Sequence, residues 1–377
     1  GTQRKASVIG AISTVKPEVL QSNQTRSITN SLAGQVAGVI AVQRSGEPGY
    51  DNSDFWIRGM NSFGANTTPL VLVDGIERSL NNISPEEIES FSVLKDATAT
   101  AVYGVRGANG VILVQTKRGK QGKPRVTVKT DYGLSQPTKL PEFVGAAKYM
   151  ETINTAYSYS GLAPLFSDEQ IHRTRIGYDP DLYADVDWMD AVTTPFSGNG
   201  RLSMDVNGGS ERLRYSLVAA YFNESGMIAV DDRQNYDSRL GLKKYNLRSN
   251  VDLDLTSSTK LAVGIGGYIT ERQAPGVGIS TIFSHAMDTP PYVHPIIYSN
   301  GEIPRIEARY NPWSDATQTG YQLRYDSNLE TQLNVVQDFG LLMPVLDGLK
   351  GSVLASFDAF NRHDQRRTKT PRNFIAI

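Results

Sequence analysis

The sequence predicts an α+β domain followed by antiparallel transmembrane β-barrel strands. Three observations lead there. Up to about residue 120, short apolar runs, capping signals and glycine turns are mixed; beyond it the pattern becomes long period-two alternation. The alternating runs are about 12–18 residues long, more than most soluble sandwiches use. The connections between them alternate between tight turns and long loops, the asymmetry of a transmembrane barrel.

In the first part, "SITNSLAGQVAGVI" reads as a short helix from Ser27, with Ile28, Leu32, Val36 and Val39 on one face. "PLVLVDG" reads as a short strand closed by an Asp74-Gly75 turn. "SPEEIESFSVLKD" carries a capping box: Ser84 as N-cap, Pro85 at the first helical position and Glu87 three residues after the cap. The predicted helix ends at Lys95 and Asp96, where Lys95 complements its dipole. "GVILVQTK" is a strand, and the basic "KRGKQGKPR" (117–125) is a solvated turn between domains.

Strands are then expected near 124–135, 199–207, 211–223, 244–256, 260–272, 324–340 and 349–366. Each has one apolar face and one polar or small face. Val126, Val128, Leu213, Leu217, Val251, Leu253, Val263 and Ile265 are assigned to lipid, Asp252 and Asp254 to the lumen. In the first long connection, "AAKYMETINTAY" has helical character and Ser167 with Gln170 marks a second helix start. "DPDLYADVDWMD" lacks a calcium-loop frame and reads as a capped, exposed loop.

Composition narrows the function. Lys and Arg number 38 against 39 Asp and Glu, so no basic excess suits nucleic acid. There is no cysteine, and the four histidines have no metal-like spacing, so no metal centre or other cofactor is expected. Mean hydropathy is −0.33, and the longest nearly apolar run, 32–42, is far short of a spanning helix. Alternating strands would escape such a test. No catalytic Ser-His-Asp or paired-carboxylate spacing stands out, so no enzyme is expected.

"VLKDATATAVYGVRGANGVILVQTKRG" (93–119) has glycines at spacing three, Gly104, Gly107 and Gly110. It fails as a nucleotide loop. Its predicted order is helix, glycines, strand, where a dinucleotide fingerprint runs strand, glycines, helix. Gly110 is followed by Val111 where a phosphate loop needs Lys and Ser or Thr. The glycines suit positive φ and close packing.

The same stretch resembles the signature region of the SusC/RagA-type TonB-dependent outer-membrane transporters. "GTQRKASVIGAIS", "LAGQVAGVIAVQRSGEPG", "FWIRGMNSFG" and "PLVLVDGIERSLNNISPEEIESFSVLKD" resemble that family's plug motifs in order, and "DVDWMD" and "YNLRSNVDLDLT" resemble its barrel. The resemblance implies a plug over 1–120 and the N-terminal portion of a barrel over 121–377, with long extracellular loops. Family barrels have about 22 strands, so about seven strands imply a fragment. The family's signal peptide and TonB box would precede Gly1.

The resemblance further implies TonB-dependent import of a nutrient, an oligosaccharide before a peptide, across the outer membrane of a Gram-negative bacterium. Its implied partners are a SusD-like surface lipoprotein as lid, TonB, the nutrient and outer-membrane lipid. A secreted or surface β-rich binding module is the alternative; it accounts for the strands but not the plug motifs.

Candidate site residues follow. Arg58 and Gly59 in "IRG", with Asp74, Gly75, Lys95 and Asp96, are plug signature and gating candidates, Arg58 against the barrel wall. Tyr103, Gly104, Arg106, Gly107, Asn109 and Gly110 are signature positions assigned to plug packing. Ser62, Phe63 and Asn66 mark a plug loop that faces substrate. Tyr292, Tyr298, Tyr310, Trp313 and Tyr321 in the long loops suit either stacking on sugar rings or packing within the loops and against the lid.

Overall fold

The computed structural model describes residues 12–21, 27–57, 59, 68–95, 101–304, 310–372 and 374. The N-terminal part contains β1 (Ile12–Val15), α1 (Pro17–Gln21), α2 (Ile28–Ser31), β2 (Val39–Gln43), β3 (Ser53–Ile57), β4 (Leu70–Val73), β5 (Ile76–Glu77), β6 (Ile88–Leu94) and β7 (Val111–Thr116). A five-stranded sheet runs β1-β6-β7-β4-β5, with β4 and β7 parallel, and β2 and β3 form a separate antiparallel pair. Leu20, Ile28, Leu32, Ile57, Val73, Phe91 and Ile112 close one apolar core over it.

The helix expected after Ser84 is not there. The capping box forms, but it closes only a single 3-10 turn, Pro85–Glu87, before β6 begins. Period two wins from Phe91 onward: Phe91 and Val93 point into the core, and Ser90 and Ser92 are poor helix formers. β6 is also hydrogen-bonded on both edges, to β1 and to β7. Lys95 therefore follows a strand, and the glycine stretch lies between two antiparallel strands. Ser27 does cap α2, accepting from Thr29 N, but the helix stops at Ser31, and Val39 is buried from a strand.

Beyond the basic segment the wall begins. β8 (Gly122–Ser135), β9 (Ser197–Gly209), β10 (Leu213–Ser225), β11 (Gly241–Asp254), β12 (Thr259–Pro275), β13 (Gly320–Asp338) and β14 (Lys350–Thr368) form one antiparallel sheet in sequence order. All seven strands read from alternation are present. Their register is continuous. One row runs Val126, Val206, Leu217, Ser249, Ile265, Thr331, Phe357; the next runs Thr127, Asp205, Val218, Arg248, Gly266, Glu330, Asp358. The second row faces the N-terminal domain, the first faces away.

The long connections carry α3 (Ala146–Tyr159), α4 (Asp168–Ile176) and α5 (Trp188–Val192) between β8 and β9, and α6 (Ile279–Asp288) and α7 (Pro312–Thr317) between β12 and β13. α5, α6 and α7 share a core of Trp188, Met189, Val192, Ile228, Leu240 and Ile282, and α3 and α4 pack around a separate one of Met150, Phe166 and Ile171. The acidic "DPDLYADVDWMD" is spent on backbone donors: Asp185 accepts from Ala146 N at 2.7 Å, Asp187 caps α5, and Asp181 accepts from Ser299 N. Among the described residues no group of acids and histidines could hold a metal.

Candidate functional site at the seam between domain and wall

The N-terminal domain meets the wall through polar groups. The segment from Arg78 to Glu87 lies against β9, β11, β13 and β14. Arg78 makes a two-pronged pair with Asp358, Nε–Oδ2 2.9 Å and Nη2–Oδ1 2.7 Å, and donates to Thr331 O at 3.2 Å. Glu87 is saturated: Oε1 accepts from Ser84 N and from Asn246 Nδ2, and Oε2 from Arg248 Nε at 2.6 Å. Arg248 extends its other prong to Glu330 Oε2 at 2.8 Å. Glu86 accepts from Arg201 Nη1 at 3.0 Å. The main chain joins in, with Asn81 O accepting from Lys244 Nζ and Asn82 O from Asn246 Nδ2.

Why this cluster fits the sheet is legible in the register. Arg248 and Glu330 sit on strands separated by β12, and the residue between them is Gly266. A Cβ on Gly266 would lie 2.7 Å from the Arg248 Cζ atom, so only glycine leaves the guanidinium room to cross. Gly264 does the same beside Gln332 and Asn250. The small residues of "AVGIGGYIT" therefore make room for the polar face of their neighbours.

A second contact follows β7. The Asp74 carboxylate, at a positive φ of 50°, accepts from Thr116 N and Oγ1 at 3.0 and 2.6 Å. Asn250 Nδ2 donates to Thr116 Oγ1 and to Lys117 O, both at 2.8 Å. Lys117 pairs with Asp205 and Arg118 with Asp252. The basic segment is thus no free solvated turn: Lys117 and Arg118 are ion-paired to the wall, Lys120 pairs with Glu89 of the N-terminal domain, and 122–125 already belong to β8. A third contact lies at the other end, where Arg272 pairs with Glu47 and donates to Pro48 O at 3.0 Å. Among the described residues, each buried apolar cluster stays on one side of the seam.

Of the residues nominated from sequence, Arg58, Ser62, Phe63, Asn66 and Asp96 lie outside the described residues. Gly59 takes φ +91°. Gly75 completes the Asp74 turn at φ +89°. Lys95 donates to Ser13 Oγ at 2.6 Å and to Ala37 O, tying β6 to its neighbours. Gly110 has φ +91° and stands against Ile57, where a Cβ would come within 2.7 Å of Cδ1. Arg106 pairs with Glu77 in the open, Gly107 is buried and Tyr103 and Asn109 are half-buried. Gly104 is exposed at φ +60°.

The loop aromatics do not gather into one site. Tyr292 packs on Phe166 and Tyr149, and Tyr298 is buried. Trp313 is half-buried in α7, and Tyr321 packs on Tyr236. Tyr310 is half-exposed and stacks on His285, ring centroids 3.5 Å apart. Its carbonyl lies 3.0 Å from Nε2 of His294, whose pKa burial holds below the usual range. Arg78, Arg201, Arg248, Glu330 and Asp358 were missed. Glu86 was unassigned and Glu87 read only as a cap.

Comparison with known proteins decides the family. Residues 4–111 match the TonB-dependent Receptor Plug Domain. The chain is 31% identical to TonB-dependent receptor P26 of Formosa agariphila over 84% of its own length and 30% of the relative's. It is 28% identical to TonB-dependent receptor SusC of Bacteroides thetaiotaomicron over 64% of the chain and 23% of that protein. The chain belongs to the SusC/RagA-type TonB-dependent receptors. The structure of the RagAB peptide transporter superposes with a TM-score of 0.77 at 23% identity, covering 95% of this chain and 42% of that one. Its "open-open" state gives 0.72 at 22% identity, covering 99% of this chain and 43% of that one. The seven-stranded sheet is that fold's wall, and the N-terminal domain its plug. The chain spans 30% or less of the length of the curated relatives it matches.

Proposed function

We propose that this chain supplies the plug, residues 1 to about 120, and the first wall strands, 121–377, of an outer-membrane importer driven by TonB. The observation that carries this reading is the chemistry of the seam. An apolar seam would lock a plug in place. Hydrogen bonds and ion pairs can be exchanged for water as the plug shifts, since the net gain of each is small compared with its gross strength. The cargo is an oligosaccharide before a peptide, as the family resemblance of the sequence implies; the likeness to the RagAB peptide transporter keeps peptides as the second class. A SusD-like lipoprotein over the outer mouth is the proposed lid, and TonB acts through sequence before the plug.

The reading is tested by deleting the full-length gene, the lid gene and tonB separately in the native host. Growth is scored on panels of neutral and acidic oligosaccharides and of peptides as sole nutrient. Loss of growth on the same nutrient in the receptor and tonB deletions is the expected result. A receptor that washes from cells without detergent, with growth unchanged on every nutrient, would instead make the chain a surface binding module.

A further inference from the structure

Between the plug and the wall, toward the long loops, lies a polar pocket of about 200 Å³. Its plug side is the 49–52 turn with Tyr50, and its wall side carries Lys244, Arg272, Arg324 and Arg362, with Asp326 among them. Tyr50 is held between two arginines. Arg272 stacks over its ring at 4.5 Å, and Arg324 Nη1 donates to its hydroxyl at 2.8 Å. Cross-strand carboxylates fix the other arginine edges: Asp364 takes Arg324 Nε at 2.7 Å, and Asp326 takes Arg362 Nε and Nη2 at 2.7 and 3.1 Å. The lining holds four cations and one carboxylate, Asp326; Glu47 and Asp364 pair with Arg272 and Arg324 from outside it, and Asp51 of the plug turn accepts from Asn30, so a positive excess remains at the pocket. Each guanidinium has five N–H donors, more than these partners use. A ring plate beside oriented guanidinium forks suits a ligand that joins an anionic group to a flat face.

We propose that this pocket binds an anionic group, a carboxylate, of the imported nutrient. The proposal rests on the import reading and narrows its substrate class. Because the pocket is walled by plug and barrel together, an occupant touches both at once, and Arg272, which also grips Glu47 and Pro48 O, links the occupant to the plug's outer turn.

The test uses the purified full-length receptor in detergent. Binding is measured by calorimetry with four probes: a hexagalacturonate, its methyl ester, hexaglutamate and hexaglutamine. At least one acid should bind about tenfold or more tightly than its neutral counterpart. That preference should weaken as salt rises and vanish in the Arg324→Gln/Arg362→Gln variant, its folding checked by heat-shifted migration in gels. Preference for the saccharide or the peptide acid identifies the source of the anion; preference for both assigns recognition to the anion alone. If neither acid outbinds its neutral partner, or the folded double variant keeps the preference, the proposal is wrong. No energised membrane is involved, so that failure stays separate from failure of the import reading, which the deletions test.

Discussion

Arg248 of the wall and Glu87 of the plug meet Nε to Oε2 at 2.6 Å, with 4% and 1% of their side chains exposed. Glu330 takes the other prong of Arg248. Removing the arginine leaves Glu87 buried without its cation and Glu330 with only Arg78, 3.6 Å away. Breaking such a buried pair costs about 3–5 kcal/mol, whereas replacing the whole set with apolar groups can be nearly neutral. In the full-length receptor, Arg248→Ala should therefore loosen the plug strongly. The triple change Arg248→Met, Glu87→Gln, Glu330→Gln should recover much of the loss. Protease protection of the plug and the denaturant midpoint report both; equal loss in the two variants would show that the cluster does not act as a unit.

Gly266→Ala tests the space argument. The new Cβ would sit 2.7 Å from the Arg248 Cζ atom, which is held by two carboxylates and cannot swing away freely. Overpacking of this kind costs roughly 1–3 kcal/mol. Combining it with Arg248→Met, a narrower head, should cost less than the sum of the two single changes. Strict additivity in a thermal-shift cycle would mean that the glycine has another role.

How much of this was legible depended on which signal dominated locally. In the wall, period two is sustained over a dozen residues or more, and all seven strands followed from it. The capping box at Ser84 was read correctly as a cap but wrongly as the start of a helix, because the box is local and the strand that overrides it is stabilised by partners far away in sequence, β1 and β7. The seam cluster was hidden for the same reason. Arg78, Glu87, Arg248 and Glu330 are spread over more than 250 positions, and only register brings them together. One hint was available: the paired glycines of "GIGG" on the inner face imply that something large crosses them.

Asp231 offers a pH test in a loop outside the wall strands. Burial pushes its carboxyl up, but hydrogen bonds from the Arg233 side chain and backbone and from Gln318 Nε2 outweigh that and hold it at about 2. Its folded pKa thus lies below the ordinary carboxylate value near 3.8. Stability from this group is complete above the ordinary value and is lost as pH falls from there toward about 2. Hydrogen-exchange protection in the 226–240 loop, taken relative to the intrinsic rate at each pH, should fall through that window. Asp231→Asn, which keeps the shape but not the charge, should exchange faster already at neutral pH and flatten the pH dependence. An unchanged profile would remove Asp231 as the loop's anchor.

The outward row of the wall gives the last prediction. Val126, Val128, Leu213 and Ile265 are exposed, and Leu217, Val251, Leu253 and Val263 share their face by register. Asp252 lies on the opposite face, paired with Arg118, and Asp254 pairs with Arg214. If that outward row meets hydrocarbon, Ile265→Arg, near the middle of β12, should cost about 2–4 kcal/mol of stability in the membrane. The same change on a wall bathed in water should cost almost nothing, since surface substitutions mostly stay within about 0.5 kcal/mol. Folding the full-length receptor and its Ile265→Arg variant into lipid vesicles separates the two. A lipid-soluble carbene label should mark Val263 and Ile265 and spare Arg248 and Asp252. Labelling of the Asp252 face would require every strand to be turned over, because slipping a strand by one residue exchanges its two faces.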